Sequence, residues 1–290
     1  MDLSSVLIDS LVLGVFEAAP LILAAMGFTL IFYLNRFINV AYAENITLGA
    51  YAAVFFNTTM GLDFYLTIVP SALLSGVVSV LAYLLVFRPA LRRGLGSAEL
   101  IVLSVGLSFA IRYAARLIFG IELYLFDTGP INSISVLGTG VTSFQLVGLA
   151  LVATFAVALY LVIFKTNYGE RMRALAGNEA LAQVSGINPT KVSILIWFIA
   201  GVAGGLAGIF YGVFSFVHAD LGWSLILIII MITVIGGIGN VRGAVVVGIG
   251  AGIMVTLATQ FIQPLYAQIL LLALFIVVLR VTRATSMARA

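Results

Sequence analysis

Residues 225–235 read LILIIIMITVI, a continuous apolar run interrupted by a single threonine. A strand of a membrane β-barrel alternates polar and apolar side chains over about ten residues, so this run excludes a barrel. Hydrophobic residues make up 63% of the 290 positions and charged residues only 9%, whereas soluble globular proteins are about half apolar and a quarter charged. The sequence therefore predicts an all-α membrane protein and excludes a soluble enzyme or a disordered regulator.

Apolar runs recur along the whole chain, and a helix of about 20 apolar residues suffices to cross a bilayer. The runs fall at about 10–33, 38–59, 64–87, 98–119, 143–164, 190–216, 222–239, 243–261 and 264–281. The second and eighth runs carry polar residues or several glycines, so either of them can be re-entrant or broken. We expect a polytopic transmembrane helical bundle of about eight or nine segments, forming a single domain over residues 1–290.

The charged residues divide between the two ends of these runs. Lys and Arg in short loops stay on the cytoplasmic side. Apart from Arg112 and Arg116 within the fourth run, the basic residues are Arg36, Arg88, Arg92, Arg93, Lys165, Arg171, Arg173, Lys191, Arg242, Arg280, Arg283 and Arg289. The intervening segments on the other side are acidic, with Asp2, Asp9, Asp63, Glu122, Asp127 and Asp220. Nine crossings then place the N-terminus outside and the C-terminus inside.

Several kinds of chemistry lack the residues that they need. The chain has no cysteine, and His218 is its only histidine, so we expect no metal site and no cofactor. No Gly-Lys-Ser/Thr follows a Gly-rich turn, which excludes ATP hydrolysis by a P-loop. A membrane enzyme needs a cluster of nucleophile, base or metal ligands, and these residues offer little for one. We expect a lipid bilayer around the chain and no nucleic acid partner.

One long polar segment interrupts the apolar runs. Residues 165–191 read KTNYGERMRALAGNEALAQVSGINPTK, on the cytoplasmic side by the charge rule. Gly177 suits a helix end, Asn178 an N-cap and Gly186 a second helix end, so we expect short helices at about 168–176 and 179–185. Met172 with Leu175, and Leu181 with Val184, each form an apolar stripe at i, i+3 spacing. These helices either dock a cytoplasmic partner or lie on the membrane surface.

Three blocks of the sequence resemble one known family. Residues 166–188 (TNYGERMRALAGNEALAQVSGIN) are followed by a Gly-rich run and by 236–248 (GGIGNVRGAVVVG), and residues 38–51 read INVAYAENITLGAY. Together these blocks resemble the permease subunits of branched-chain amino acid ABC importers, over about 27–60 and 165–255. Tyr42 and Ala43 stand where that family usually has His-Gly before the glutamate.

The resemblance implies a transport subunit rather than an enzyme. In such an importer two permeases, identical or paralogous, form the pathway, two ATPase subunits bind the inner loops, and a soluble extracytoplasmic binding protein delivers the substrate. The chain would then move a branched-chain or related small amino acid or amide into a prokaryotic cell across its cytoplasmic membrane. The 165–191 segment would be the ATPase-coupling loop, with Glu170, Arg171, Arg173, Asn178, Glu179, Ala180 and Gly186 as its candidate residues.

Polar residues within the apolar runs are candidates for the pathway or a gate, because ionisable groups at membrane depth are costly. The candidates are Glu17, Asn39, Glu44, Asn45, Arg112, Gly237 and Arg242. Glu17 either occupies a helix kinked at Pro20 or stays in contact with water at the outer interface. Arg112 either contacts substrate or forms a structural ion pair with Glu17, Glu44 or Glu122, and the sequence favours the ion pair.

Two glycine-rich patterns have simpler structural readings. Asn45, Gly49 and Ala53 share one helix face, and the run 190–216 has several glycines four apart. Both patterns favour close helix packing, although the first can also line a pathway. The glycines at 236–243 favour a tight turn at the inner face, with an inner gate at Gly237 and Arg242 as the alternative.

A stand-alone ion-coupled secondary transporter or channel is the alternative function. It would use buried charges such as Glu17, Glu44 and Arg112, but it would leave the ordered 165–191 segment unexplained. The outer segment 120–142 has two acidic residues and no basic one. It is either a docking surface for a soluble binding protein or a lid over the bundle.

Overall fold

A computed structural model describes residues 3–130, 132–136 and 138–287 of the chain. Asp2 and Arg289, which contribute to the expected charge division, lie outside these residues. The helices are α1 (Leu3–Asn35), α2 (Tyr42–Val54), α3 (Phe64–Ala82), α4 (Arg88–Arg92), α5 (Ser97–Phe119), α6 (Ser143–Lys165), α7 (Asn167–Gly177), α8 (Glu179–Val184), α9 (Pro189–Phe214), α10 (Leu221–Gly236), α11 (Val241–Thr259) and α12 (Pro264–Met287). The π-helical turns Phe55–Thr59 and Tyr83–Phe87 extend α2 and α3.

Each of the nine expected apolar runs overlaps largely with one of these helices. This agreement confirms the helical membrane bundle. Six helical segments are long and apolar enough to cross a membrane: Leu7–Asn35, Phe64–Arg92, Ser97–Phe119, Ser143–Lys165, Pro189–Phe214 and Val241–Thr259. The apolar helices Leu221–Gly236 and Tyr266–Val278 are shorter. The eighth run is the single continuous helix α11 rather than a hairpin. The second run contains the 13-residue α2, which its π-helical turn continues to Thr59.

The short helix α2 lies at the centre of the bundle, packed against α9. Its residues are almost all buried. A Cβ added to Gly208 of α9 would overlap the backbone of Ile46, and one added to Gly49 would overlap the backbone of Gly205. The two helix backbones therefore approach as closely as the small residues permit. This contact confirms the packing interpretation of both glycine patterns.

The longest helix, α1, packs against α11 and remains helical through Pro20. A Cβ added to Gly252 of α11 would lie 2.5 Å from the carbonyl oxygen of Gly14. Close packing by neighbouring helices lets a membrane helix tolerate an internal proline. The helix α1 therefore continues without a break at Pro20.

Charge divides between the two ends of the bundle in the structure. Arg36, Arg88, Arg92 and Lys191 line one cavity at the end where α7 and α8 lie. At the other end Asn57 binds the backbone of Asp127, with its Nδ2 donating to the carbonyl oxygen at 3.0 Å, and Asp9 accepts a hydrogen bond from Thr139 at 2.5 Å. The basic and acidic segments thus occupy opposite ends, as the charge pattern predicts.

The segment 120–142 contains a hairpin that the sequence did not reveal. Strand β1 (Ser133–Val136) pairs antiparallel with β2 (Thr139–Thr142), with Ser133 opposite Thr142 and Val136 opposite Thr139. Tyr124 and Val217 exchange backbone hydrogen bonds of 2.9 Å, which fasten this segment to the end of α9. The hairpin is the exception to an otherwise helical chain among the described residues.

Candidate functional site

A buried charged cluster joins α2 to α5. Nη2 of Arg112 lies 3.1 Å from Oε1 of Glu44, and the side chains are only 6% and 2% exposed. The hydroxyl of Ser108 donates to the same carboxylate oxygen at 2.6 Å, and Arg112 donates to Ser108 at 3.0 Å. The expected ion pair of Arg112 with a carboxylate is confirmed, and Glu44 rather than Glu17 or Glu122 supplies it.

The cluster continues outward to the start of α10. Nε of Arg112 lies 3.9 Å from Oδ1 of Asp220, and Asp220 also pairs with Arg116. The guanidinium of Arg112 lies over the ring of Trp223, 4.0 Å from its centroid. The side chains of Arg116 and Asp220 are 34% and 41% exposed, whereas those of Arg112 and Glu44 are almost fully buried. One end of the cluster therefore reaches the protein surface, and the other end lies inside the bundle.

A polar stripe along α5 forms this cluster. Ser104, Ser108 and Arg112 are buried at i, i+4 spacing, while much of the helix is exposed. The hydroxyl of Ser104 accepts a hydrogen bond of 3.0 Å from the amide of Val40. These polar contacts join α5 to α2 and to the residues before it, and they are favourable where water is excluded.

The chemistry of this cluster is ion pairing and hydrogen bonding. Glu44 and Arg112 satisfy each other, whereas Nε of Arg112 has no hydrogen-bond partner. Removal of Arg112 would leave Glu44 as an uncompensated buried charge. The geometry is that of a structural ion pair whose neighbour Asp220 reaches solvent.

The other pathway candidates lie in different surroundings. Asn39 and Asn45 are buried in or beside α2, and Oδ1 of Asn39 has no hydrogen-bond partner. Glu17 is exposed and accepts a hydrogen bond of 2.9 Å from Thr256 of α11. Arg242 lies over the ring of Tyr160, 5.9 Å from its centroid. Sequence reasoning therefore grouped residues that the fold separates.

Gly237 lies in the turn between α10 and α11. Its φ is +91°, and Asn240 caps α11 by accepting a hydrogen bond of 3.1 Å from the amide of Gly243. A left-handed backbone conformation favours glycine because it has no Cβ. The expected tight turn is confirmed.

Sequence reasoning missed Ser108 and Trp223 as members of the buried cluster, and it placed Asp220 only among the acidic residues of the intervening segments. A usable signal was present for Ser108, because residues 104, 108, 112 and 116 share one helix face. No comparable local signal exists for Asp220 and Trp223, which reach the cluster from another helix more than 100 positions later in the chain.

The second candidate site is the 165–191 segment, which contains α7 and α8. Asn178 caps α8 by accepting a hydrogen bond of 3.0 Å from the amide of Leu181. Gly186, with a φ of +83°, ends the turn after α8, and Pro189 opens α9. Both expected short helices are present, with their boundaries displaced by only one residue at each changed end.

The two apolar stripes of this segment differ in burial. Met172 and Leu175 of α7 are only 3% and 6% exposed, packed into the core. Leu181 and Val184 of α8 are 65% and 88% exposed. The same residue spacing therefore anchors α7 to the bundle and leaves α8 with an uncovered apolar face.

The charged residues of the 165–191 segment also differ in their surroundings. Glu170, Arg171 and Glu179 are exposed, as is Ala180. The side chain of Glu179 accepts a hydrogen bond of 3.1 Å from Gln183. Arg173 instead donates to the carbonyl oxygen of Ile163 and ties α7 to α6. Arg173 therefore binds another helix of the bundle, whereas the hydrogen bond of Glu179 stays within α8.

Comparison with known proteins places this fold in a family. The family model described as branched-chain amino acid transport system, permease component, matches residues 10–279. The chain is 28% identical to the LivH permease of Salmonella typhimurium, over 92% of this chain and 91% of the relative. It is 26% identical to BraD of Pseudomonas aeruginosa, over 94% and 92%.

A third relative comes from Methanocaldococcus jannaschii. The probable LivH permease of Methanocaldococcus jannaschii is 26% identical, over 85% of this chain and 79% of the relative. No solved structure gives a significant match. A family model that covers nearly the whole helical bundle shows that this chain is a multi-pass membrane protein and belongs to the family of permease components of branched-chain amino acid transport systems.

Proposed function

We propose that this chain is a permease subunit of an ABC importer in the cytoplasmic membrane of a prokaryote. It would move a branched-chain or related small amino acid inward, together with a second permease and a soluble binding protein. Two ATPase subunits would dock on residues 165–191. The family match and the names of the relatives support the transport role, and the charge division supports an outer N-terminus and an inner C-terminus.

The observation that carries the docking proposal is the uncovered apolar face of α8. Leu181 and Val184 are 65% and 88% exposed at the basic end of the bundle, where the adjoining residues are polar. Covering such side chains contributes roughly 1.5–3 kcal/mol each. A protein partner gains this energy by covering the face.

The surroundings of the face suit a protein interface. Glu170 and Arg171 on α7 and Glu179 on α8 are exposed, and protein interfaces commonly surround an apolar centre with a polar rim. The helix that bears the face is fixed by the N-cap Asn178. The partner would therefore meet a preformed surface, which lowers the entropy cost of docking.

The test is to place a charge on the uncovered face. Val184→Asp and Leu181→Asp each alter a side chain that is mostly exposed, so the permease should insert and fold normally. Both variants should lose co-purification of the ATPase and lose uptake, whereas Val184→Ile should retain both. Normal ATPase recovery and uptake by both aspartate variants would refute docking on α8.

A separate measurement addresses the transport reaction itself. Uptake of radiolabelled leucine should require the chain, its binding protein and ATP hydrolysis, and unlabelled valine or isoleucine should compete. Leucine uptake that continues without any ATPase and follows an ion gradient would establish a secondary transporter instead.

A further inference from the structure

An apolar groove runs along the surface between α3 and α9. It has a volume of about 830 Å³. Its walls within the membrane-crossing helices are Val77, Val80, Leu81, Leu195 and Phe198. Val77 and Leu81 are 48% and 47% exposed, so the groove opens sideways toward the surroundings of the helices.

One end of the groove is basic and polar. There it is lined by Tyr168 and Arg171 of α7, by the turn Ser185–Asn188, and by Lys191 of α9. Arg171 lies over the ring of Tyr168, 5.6 Å from its centroid. Both Arg171 and Lys191 are exposed, and neither forms an ion pair within the described part of the chain. The lining of the groove includes no acidic residue.

A second cavity adds further positive charge beside this end. It has a volume of about 1300 Å³ and shares Ile187, Asn188 and Lys191 with the groove. Arg36, Arg88 and Arg92 also line it, against the single carboxylate of Glu179. The buried Nε of Arg88 has no hydrogen-bond partner. An anion at Lys191 would therefore lie in a field of several cations that internal carboxylates do not neutralise.

The joint arrangement selects the chemistry of the ligand. A soluble anion would use the basic end but would gain nothing from the apolar walls. A zwitterionic lipid would use the walls but would have a weaker attraction to the cations. Basic pockets between membrane helices on the cytoplasmic side bind anionic lipid head groups.

We propose that this groove binds one anionic phospholipid. An acyl chain lies between α3 and α9, and the phosphate group contacts Arg171 and Lys191. Because the turn Ser185–Asn188 lines the same groove, the bound lipid would brace the junction between α8 and α9. The proposal depends on the groove and its charges, and not on the identity of any transported molecule.

Native mass spectrometry of the full-length protein, released from nanodiscs, tests the proposal. Phosphatidylglycerol and phosphatidylcholine with identical acyl chains are the two probes. The wild type should retain phosphatidylglycerol in preference to phosphatidylcholine, and Arg171→Gln with Lys191→Gln should reduce that preference by roughly 30-fold. The matched control, Arg93→Gln with Lys165→Gln, removes one Arg and one Lys that line neither cavity and should leave the preference unchanged.

A second variant examines the apolar part of the groove without altering its charge. Leu81→Trp fills the groove from a position that is 47% exposed, so the fold should tolerate it while lipid retention falls. Equal retention by the charge variant and its control would overturn the proposal. Competition by inorganic phosphate, together with unchanged retention in Leu81→Trp, would show a soluble-anion site instead. Lipid retention is measured without transport, so this result is distinct from failure of the proposed importer function.

Discussion

Oε1 of Glu44 accepts a hydrogen bond of 3.1 Å from Arg112, 68 positions further along the chain. Both side chains are almost completely buried, and Ser108 binds the same carboxylate oxygen. A buried ion pair does not by itself add much stability, because removing two charges from water is costly. The pair instead makes each charge depend on its partner, because removal of either one leaves the other buried with less compensation.

The first prediction follows from this pairing. Glu44→Gln should lower the free energy of unfolding by up to about 3–5 kcal/mol, because the buried guanidinium of Arg112 then keeps only the partly exposed Asp220, 3.9 Å from its Nε, as a counter-charge. The double variant Glu44→Leu with Arg112→Met removes both charges and should recover much of that loss. Thermal unfolding of the detergent-solubilised protein measures both effects.

The neighbouring pair provides the control for this experiment. Arg116 and Asp220 are about one-third exposed or more, so Arg116→Met should cost no more than about 1 kcal/mol. A double variant whose loss equals the sum of the two single losses at Glu44 and Arg112 would contradict the pairing.

A second prediction concerns the contact between α2 and α9. Gly208→Ala should destabilise the protein by about 1–3 kcal/mol, because the new Cβ would overlap the backbone of Ile46. Gly250→Ala is the matched control on α11, where an added Cβ has no neighbour within 4 Å, and it should be neutral or slightly stabilising. Comparable losses at the two glycines would contradict close packing as the cause of the loss at Gly208.

The third prediction concerns the turn after α8. Gly186 has a φ of +83°, a conformation that costs an L-residue about 1–2 kcal/mol. Gly186→Ala should therefore loosen α8 and speed hydrogen exchange of the amide of Ala182, which bonds to Asn178. Gly177→Ala, at a helix end without a positive φ, should leave that exchange rate almost unchanged. Equal exchange rates in the two variants would refute the strain at Gly186.

The fourth prediction concerns the segment 120–142, which contains the hairpin. Asn57 donates hydrogen bonds to the carbonyl oxygens of Leu62 and Asp127 at 2.9 and 3.0 Å, and accepts one from the amide of Asp127 at 2.7 Å. Asn57→Ala removes all three contacts and should make residues 120–130 more sensitive to protease, at a cost of about 1–3 kcal/mol. Thr58→Ala loses only a bond within its own helix, to Val54, and should resist digestion like the wild type. Unchanged cleavage of Asn57→Ala would show that other contacts hold the segment.

The helices could be predicted from the sequence because their signals are local. Long apolar runs locate the membrane helices, and the cap residues Asn178 and Gly186 locate α8 to within a residue. The small-residue spacing in α9 also predicts close packing correctly. Each of these features depends on residues within a few turns of one another.

The parts that could not be predicted depend on contacts between distant segments. Spacing shows that Leu181 and Val184 share a face, but it does not show whether that face is buried. The choice of Glu44 over Glu17 as partner of Arg112 likewise needs the three-dimensional arrangement of α1, α2 and α5. The hairpin at 133–142 contains only four-residue strands, too short for a clear alternating pattern.

The burial of Glu44 also has a consequence for biogenesis. The ribosome releases α2 well before α5, so the carboxylate is made before the guanidinium that will compensate it. A charged side chain is expensive within the bilayer, and the helix at 42–59 is not among the six segments that are long and apolar enough to cross alone. We therefore expect the translocon to retain α2 until α5 emerges, and the two helices to enter the lipid together.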